Sequence, residues 1–284
     1  MQFVFTFIFM IGAELLSDGY EVTLENDGRD NTLIEVIDTG NGDSILSLDI
    51  TFVYSAHYHS CEYHDGYLYV IRRIDYDGYP DENWSDQLWR YSHEGTGVEL
   101  FSHKGLDFRV SGDNSHIAVV SRDSLWVLGS EGGILGTFET EQLSSVRIGF
   151  DVVLQPLEWS SNGLSFWGSL LQVPGPINLF RLDINSMNPV IYDISSLEIL
   201  DEYVLQADSR MLTYSDYPAM HCYDELLEYQ ASGDTCHLFL YYLDEGRTEL
   251  LAISSAREFK PVWISPDTLE FEDDMTGGRI RISI

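Results

Sequence analysis

The amino-acid sequence predicts an all-β fold made of six similar units, each a small antiparallel sheet. Helical periodicity is almost absent, and short alternating apolar runs are separated by Gly, Asp, Asn and Ser. One strand–turn–strand pattern also recurs along the 284 residues. The 17 tyrosines and 14 phenylalanines suit half-buried pleated surfaces, so the composition favours strands throughout.

Each unit opens with a strand that ends in a polar turn, after which a second alternating strand begins. The pattern reads CEYHDGYLYVI in residues 61–71 and WISPDTLEFED in residues 263–273. Asp, Asn and Gly adopt positive φ at the lowest cost, so these turns are typical of hairpins. The turn residues stand 46 to 59 positions apart and are Asp18, Asp65, Asp113, Asn162, Asp208 and Asp267.

A further strand follows each hairpin and ends in an acidic or glycine turn, as in NLFRLDINS (178–186) and HLFLYYLDEG (237–246). Each unit therefore accommodates four short strands. One such sheet cannot bury both faces alone, so the sheets must stack on their neighbours. Because radial repetition of four-stranded sheets gives a β-propeller, we predict a six-bladed β-propeller of four-stranded antiparallel sheets, forming a single domain over residues 14–284.

The last unit contains three strand-like runs, KPVWIS, TLEFED and GRIRISI, and lacks a fourth. In a ring, the missing strand can come from the other end of the chain, which removes an exposed edge. The segment 3–10 has the composition of such a closing strand. Residues 1–13 also resemble a signal peptide that ends at the small residue Ala13, although they contain no Lys or Arg. Both interpretations stay open, and neither this run nor any other is long enough to span a bilayer.

The charge of the chain is strongly acidic, with 47 Asp and Glu against 15 Lys and Arg and a formal net charge of −32. Such a field repels polyanions, so it argues against nucleic acid and anionic lipid surfaces as partners. It attracts cations and basic protein surfaces instead. We expect a monomer with a well-solvated surface.

The stretches KPVWISPDTLEF and PLEWSSNGLSFWG resemble the TolB-like propeller repeat, whose signature is Pro-x-Trp-Ser-Pro-Asp-Gly followed by an alternating strand. NLFRLDINS is similar to a later strand of that repeat. The resemblance covers the chain from Ala13 onwards, with departures such as Ile264, which lengthens the Trp-Ser step, and Thr268 in place of glycine. It implies a six-bladed propeller, often extracytoplasmic, that binds proteins or gates prolyl-oligopeptidase-like enzymes. An extracytoplasmic location is therefore expected, with a cytoplasmic one left open. The motif itself carries no catalytic residue.

Two groups of residues are candidates for metal binding. His57, His59 and Cys61 alternate, so on a strand they project from one face, with His64 near the turn; nitrogen and sulfur ligands of this kind suit zinc or copper. An oxygen-rich loop with a glycine suits calcium and contains Asp75, Asp77 and Asp81. The alternatives are hydrogen-bonded structural histidines and a solvated acidic loop.

Two of the three cysteines flank one stretch of the fifth unit. Cys222 and Cys236 enclose a short segment, and a disulfide between them would stabilise the fold by about 3 kcal/mol through the entropy of the unfolded chain. Such a bond needs an oxidising compartment. The alternative is a pair of small buried hydrophobic residues.

Inserted segments in the second, fourth and fifth units are expected to lengthen loops, which is where rigid scaffolds bind partners. These loops carry amphipathic aromatic residues of the kind favoured at interfaces. We therefore predict a non-catalytic scaffold that binds a protein or peptide through its loop face. The alternative is a propeller-type metal-dependent hydrolase, a lactonase or glycan hydrolase, with its site at the channel mouth. The aromatic candidates for binding are Tyr76, Tyr79, Trp84, Tyr217, Tyr223 and Tyr229.

Overall fold

The computed structural model describes most of the chain and divides it into two compact units, Met1–Thr137 and Phe138–Ile284, which are treated separately below. In the described part, the secondary structure is almost entirely antiparallel β-sheet. The described residues are 15–16, 19–26, 31–51, 61–74, 85–145, 152–172, 175–197, 199, 202–217, 234–255, 258–272 and 277–284.

The N-terminal unit contains three four-stranded sheets, and in each sheet the strands lie side by side in chain order. Sheet 1 consists of β1 (Leu15–Leu16), β2 (Tyr20–Asn26), β3 (Asn31–Asp38) and β4 (Ser44–Thr51). Sheet 2 consists of β5 (Cys61–His64), β6 (Tyr67–Ile74), β7 (Ser85–Ser92) and β8 (Gly97–His103). Sheet 3 consists of β9 (Asp107–Val110), β10 (His116–Val120), β11 (Ser124–Gly129) and β12 (Ile134–Glu139), the last of which ends just beyond the unit boundary.

The C-terminal unit repeats this arrangement. Sheet 4 consists of β13 (Val152–Trp159), β14 (Ser165–Gln172), β15 (Gly175–Asp183) and β16 (Asn188–Asp193). Sheet 5 consists of β17 (Tyr203–Gln206), β18 (Met211–Ser215), β19 (Cys236–Tyr242) and β20 (Arg247–Ser254). Sheet 6 has three described strands, β21 (Val262–Ser265), β22 (Thr268–Glu272) and β23 (Arg279–Ser283).

The predicted repeat is confirmed, because the described Asp and Asn of the pattern lie between the first and second strands of their sheets. In sheet 2, Asp65 and Gly66 form this turn with φ values of 44° and 84°. Positive φ at both central residues is the signature of the two-residue hairpin turn that matches the twist of the flanking strands. The order Asp-Gly therefore determines where β5 ends and β6 begins.

In sheets 3, 4 and 6, a serine two positions before the repeat residue completes the turn. The hydroxyl of Ser111 donates to Asp113 Oδ1 at 2.7 Å, and the hydroxyl of Ser160 donates to Asn162 Oδ1 at 2.8 Å. Partial burial raises the pKa of Asp113, but the hydrogen bonds from Ser115 and Ser111 outweigh it, and the pKa lies below its ordinary value. The repeated Asp or Asn therefore stabilises the turn, which explains why this residue recurs along the chain.

Neighbouring sheets within each unit pack through their alternating faces. In sheet 2, Val70 belongs to a buried cluster shared with sheet 1, whereas the adjacent residue Tyr69 belongs to a cluster shared with sheet 3. In the C-terminal unit, Trp167 of sheet 4 packs into a cluster with Leu212 of sheet 5. Full burial of side chains of this size contributes roughly 1.5–3 kcal/mol each, so both faces of the inner sheets stabilise the stack.

Sheet 6 has the three strands that the sequence predicts, and among the described residues no strand pairs with the outer edge of β23. The closing strand proposed for residues 3–10 lies outside the described residues, so it stays a prediction.

One expectation about loops was wrong. The insertion in the fourth unit, residues 170–177, was expected to lengthen a loop, but its described residues belong to strands. Residues 170–172 lie in β14 and residues 175–177 in β15, and Leu171 pairs with Pro176.

Candidate binding site

A cavity of about 300 Å³ lies at one edge of sheets 5 and 6 in the C-terminal unit. Tyr203, at the start of β17, pairs with Tyr214 near the end of β18, so the beginning of β17 and the connection from β18 to β19 share this edge. The chain entering β21 reaches the same place. We call this space the sheet-edge cavity, and it is lined by Glu202, Tyr203, Tyr217, Glu258, Lys260 and Pro261.

The carboxylate of Glu202 joins the two sheets at the cavity. Its Oε2 accepts a hydrogen bond from the hydroxyl of Ser215 at 2.5 Å, and its Oε1 accepts one from the backbone N–H of Lys260. Lys260 has a φ of 45°, an unfavourable value for a residue with a side chain, and the hydrogen bond to Glu202 helps to hold it there. Glu202 thereby fixes the connection into sheet 6 against β18.

Both tyrosines of the cavity are held by their surroundings. The hydroxyl of Tyr203 donates to Gln155 Oε1 at 2.6 Å, and the hydroxyl of Ser169 lies 3.2 Å from it. Tyr217 is 5% exposed and packs in a cluster with Phe259 and Leu238. The aromatic walls are therefore ordered before any ligand arrives, which lowers the entropy cost of binding.

A histidine–aspartate pair anchors the chain next to Tyr217. The Nδ1 of His237 lies 2.7 Å from Asp216 Oδ2, and the backbone N–H of His237 donates to Asp216 Oδ1 at 2.6 Å. Asp216 immediately precedes Tyr217 in the sequence. The pair therefore fixes the point at which the long connection from β18 to β19 leaves the sheet.

The described lining residues of the cavity carry more negative than positive charge. Of these residues, Glu202 and Glu258 are acidic and Lys260 is basic, and the Nζ of Lys260 lies 3.2 Å from Glu272 Oε2. Glu258 is exposed and, among the described residues, makes no hydrogen bond or ion pair. A carboxylate with these properties, in a cavity that is also lined by tyrosines, is suited to a cationic group.

Of the aromatic residues predicted for binding, Tyr217 is described, and it lines the cavity. The remaining predicted residues for binding, metal ligation and the disulfide stay predictions where they lie outside the described residues. These are Tyr76, Tyr79, Trp84, Tyr223, Tyr229, His57, His59, Asp75, Asp77, Asp81 and Cys222.

The described members of those sets lie in well-packed surroundings. Cys61 packs with Val22 in the cluster between sheets 1 and 2, and Cys236 is fully buried between sheets 5 and 6. His64 projects from the opposite face of β5, where its Nε2 lies 3.2 Å from Glu62 Oε2. Within the ranges that the structure describes, no three His, Cys, Asp or Glu residues are grouped as a metal site would require.

Glutamates that bridge neighbouring sheets are a feature that sequence reasoning missed. Glu62, in β5, accepts the backbone N–H of Val110 in β9 at 2.8 Å, and Arg109 lies 3.4 Å from its other oxygen. Glu158, in β13, accepts the N–H of Ala207 at 2.6 Å. Together with Glu202, these residues satisfy backbone donors of the next sheet. The signal in the sequence is a glutamate in or just before the first strand of a unit.

Burial gives Glu158 an unusual protonation equilibrium. The pKa of its carboxyl is raised to about 7, mainly by desolvation; the hydrogen bond from Ala207 lowers the pKa, and the nearby charge of Asp208 raises it. The seam between sheets 4 and 5 therefore contains a carboxyl that ionises near neutral pH.

Comparison with known proteins supports the architecture seen in the sheets. Oligogalacturonate lyase in complex with manganese matches with a TM-score of 0.56 and 12% identity over 93% of this chain and 73% of that chain. The β-propeller domain of the trilobed protease from Pyrococcus furiosus matches with a TM-score of 0.51 and 9% identity over 89% and 74% of the two chains. The fold is a six-bladed β-propeller.

The predicted resemblance to TolB-like propellers is confirmed at the level of the fold, because the two propeller structures above match most of this chain. TolB from Acinetobacter baumannii matches over 93% of this chain and 63% of that chain, with a TM-score of 0.47 and 12% identity. No protein-family description and no curated protein matches the sequence. In the described part of the propeller, no helix is long and apolar enough to cross a membrane.

Proposed function

We propose that this propeller is a non-catalytic scaffold that binds a positively charged protein or peptide. Binding takes place at the edge of sheets 5 and 6 where the sheet-edge cavity lies. The observation that supports this most is the sheet-edge cavity, in which two tyrosines and two glutamates converge. Tyrosine supplies a large amphipathic contact area and is common at the energetic centres of interfaces. Its combination with carboxylates favours basic partners.

The position of the cavity also supports a binding role. The connection from β18 to β19 spans residues 216–235 and begins beside the cavity with Asp216 and Tyr217. Long connections on a rigid sheet are the usual place for partner binding. We expect this connection, which carries Tyr223 and Tyr229, to extend the contact beyond the cavity.

The charge of the whole chain favours the same class of partner. With a net charge of −32, the protein attracts basic surfaces over a distance of about one Debye length, which is roughly 8 Å at physiological ionic strength. Such steering increases the association rate of oppositely charged partners. A basic partner is therefore expected to associate faster and also to bind more favourably at the cavity.

The alternative function is that of a metal-dependent propeller hydrolase. The fold does not decide between the two, since the same architecture occurs in a lyase and in a protease. The alternative depends on candidate ligands, such as His57, His59 and Asp75, that lie outside the described residues. Stoichiometric zinc or calcium in the purified protein would favour it.

We also propose that the protein is a monomer. Its proposed location is an extracytoplasmic compartment, as the resemblance to TolB-like repeats implies. A disulfide between Cys222 and Cys236 would accord with this location. Mass spectrometry of the non-reduced protein, digested after alkylation, tests the bond directly. A cross-linked peptide containing both cysteines is expected, whereas alkylation of both would contradict the proposal.

Selection from a random 12-residue peptide display library against the immobilised propeller tests the proposed function. We expect enrichment of peptides rich in Lys and Arg that bind wild type and bind the Glu258→Lys variant at least tenfold more weakly. The matched control is Glu141→Lys, because Glu141 is an exposed glutamate of the same unit that lies elsewhere in the sequence. Failure to enrich any peptide above background, or equal binding to all three proteins, would contradict the proposal.

A further inference from the structure

We infer that the sheet-edge cavity holds a single arginine side chain of the partner, with the guanidinium between the tyrosines and the glutamates. This inference rests on the proposed function and names the group that is recognised. A volume of about 300 Å³ is at the lower end of the roughly 300–1,000 Å³ range of small-molecule sites. It suits one long side chain better than a folded motif or a large cofactor.

The protein itself shows how its tyrosines and glutamates receive arginine. In sheet 5, the Arg247 Cζ lies 3.9 Å from the centre of the Tyr242 ring, while Glu245 and Glu249 accept hydrogen bonds from the same guanidinium at 3.0 and 3.1 Å. The guanidinium thus uses one face for the ring and its edge for the carboxylates, a combination that lysine cannot reproduce.

The same combination occurs between sheets 2 and 3. The Arg90 Cζ lies 4.9 Å from the centre of the Tyr67 ring, and both terminal nitrogens of Arg90 lie within 3.3 Å of Glu131. In each case one guanidinium contacts both a tyrosine ring and at least one glutamate carboxylate. Among the described residues, the lining of the sheet-edge cavity contains two tyrosines and two glutamates and no arginine.

The charges of the cavity are arranged so that an incoming cation is attracted. The side-chain oxygens of Glu202 accept two hydrogen bonds, and Glu258 has no partner among the described residues. Lys260, the cation of the lining, is already paired with Glu272. A guanidinium entering beside Glu258 therefore meets a carboxylate that no described residue pairs with, and hydrogen bonds of this charged type are about twice as strong as neutral ones.

The rigidity of the cavity favours a planar group. Tyr203 is held through Gln155, and Tyr217 is held by burial. A guanidinium stacks on the half-buried ring of Tyr203 with little loss of its own freedom, because its plane is already fixed. Arginine is therefore preferred over lysine, and citrulline, which has the same shape without the charge, is disfavoured.

NMR titration of the full-length protein with Nα-acetyl-arginine amide, and with the lysine and citrulline analogues, tests the inference. For wild type, we expect the dissociation constant of the arginine compound to be at least tenfold lower than that of the citrulline compound, and lower than that of the lysine compound. Glu258→Gln is expected to weaken arginine binding by at least fivefold, whereas the control Glu141→Gln changes it by less than twofold. Glu258 is exposed, so its replacement leaves the fold intact.

Equal affinity for arginine and citrulline, or an unchanged affinity in Glu258→Gln, would overturn the inference. The outcome is separable from that of the proposed function. Display-selected peptides that bind the propeller but are not displaced by Nα-acetyl-arginine amide would leave the scaffold function in place and refute the arginine site. Absence of any selected peptide would refute the scaffold function itself.

Discussion

Replacement of Glu158 by glutamine is expected to make the stability of the propeller less dependent on pH. Burial raises the pKa of this carboxyl from 4.5 to about 7, so the folded state binds the proton more tightly than the unfolded state. The stabilisation from the bound proton is fully present below pH 4.5 and is lost as pH rises through 7. One pKa unit corresponds to about 1.4 kcal/mol, so the shift amounts to about 3 kcal/mol.

Glutamine keeps a side-chain oxygen that can accept the N–H of Ala207 and removes the ionisation. At pH 5 the variant and wild type should therefore have similar free energies of unfolding. At pH 8.5 the variant should be more stable, by as much as about 3 kcal/mol. In the difference between the two proteins, the contributions of the other groups that titrate between these pH values, among them the histidines, cancel.

Urea unfolding followed by tryptophan fluorescence at five pH values from 5 to 8.5 measures this difference. Glu141→Gln serves as the control, since the exposed position of Glu141 predicts no pH-dependent gain. A difference in free energy between the Glu158→Gln variant and wild type that is constant across the pH range would refute the reasoning. So would a variant that becomes less stable than wild type as pH rises.

Three further predictions concern the sheets and the candidate metal. Glu62→Ala should lower the free energy of unfolding by about 3 kcal/mol or more, because the N–H of Val110 and the guanidinium of Arg109 both lose the Glu62 carboxylate. The control Glu94→Ala, at an exposed position, should have little effect on the urea midpoint. Gly168→Ala should cost about 1–3 kcal/mol, because a Cβ there would lie 2.3 Å from Phe180, while Gly133→Ala meets open space and should leave the melting temperature unchanged. The scaffold interpretation expects no stoichiometric metal by elemental analysis and no change in melting temperature with EDTA; bound zinc or calcium together with a lower melting temperature would support the hydrolase alternative.

The repeat could be predicted from the sequence because its signals are local. Asp65-Gly66 specifies a hairpin turn through backbone conformation, and Ser160 and Asn162 close their turn over two residues. Alternation of apolar residues then assigns opposite faces to neighbouring residues such as Tyr69 and Val70. Short-range rules of this kind determine the sheets and their number.

The cavity could not be predicted in the same way, because its residues come together only through packing of two sheets. Glu202 and Lys260 are far apart in the sequence, so the hydrogen bond between them forms only when sheets 5 and 6 pack together. The aromatic residue Tyr217 was identified from its place at the start of a long connection. The bridging role of Glu62 was missed for the same reason as the cavity, since its partner Val110 belongs to the next sheet.

The affinity of a display-selected basic peptide for wild type and for Glu258→Lys, measured by fluorescence anisotropy, tests the central claim most directly. The account predicts at least a tenfold loss in Glu258→Lys and less than a twofold loss in Glu141→Lys, although both variants change the net charge equally. A similar loss in both variants would mean that the overall charge, rather than the sheet-edge cavity, binds the peptide, and would contradict the account.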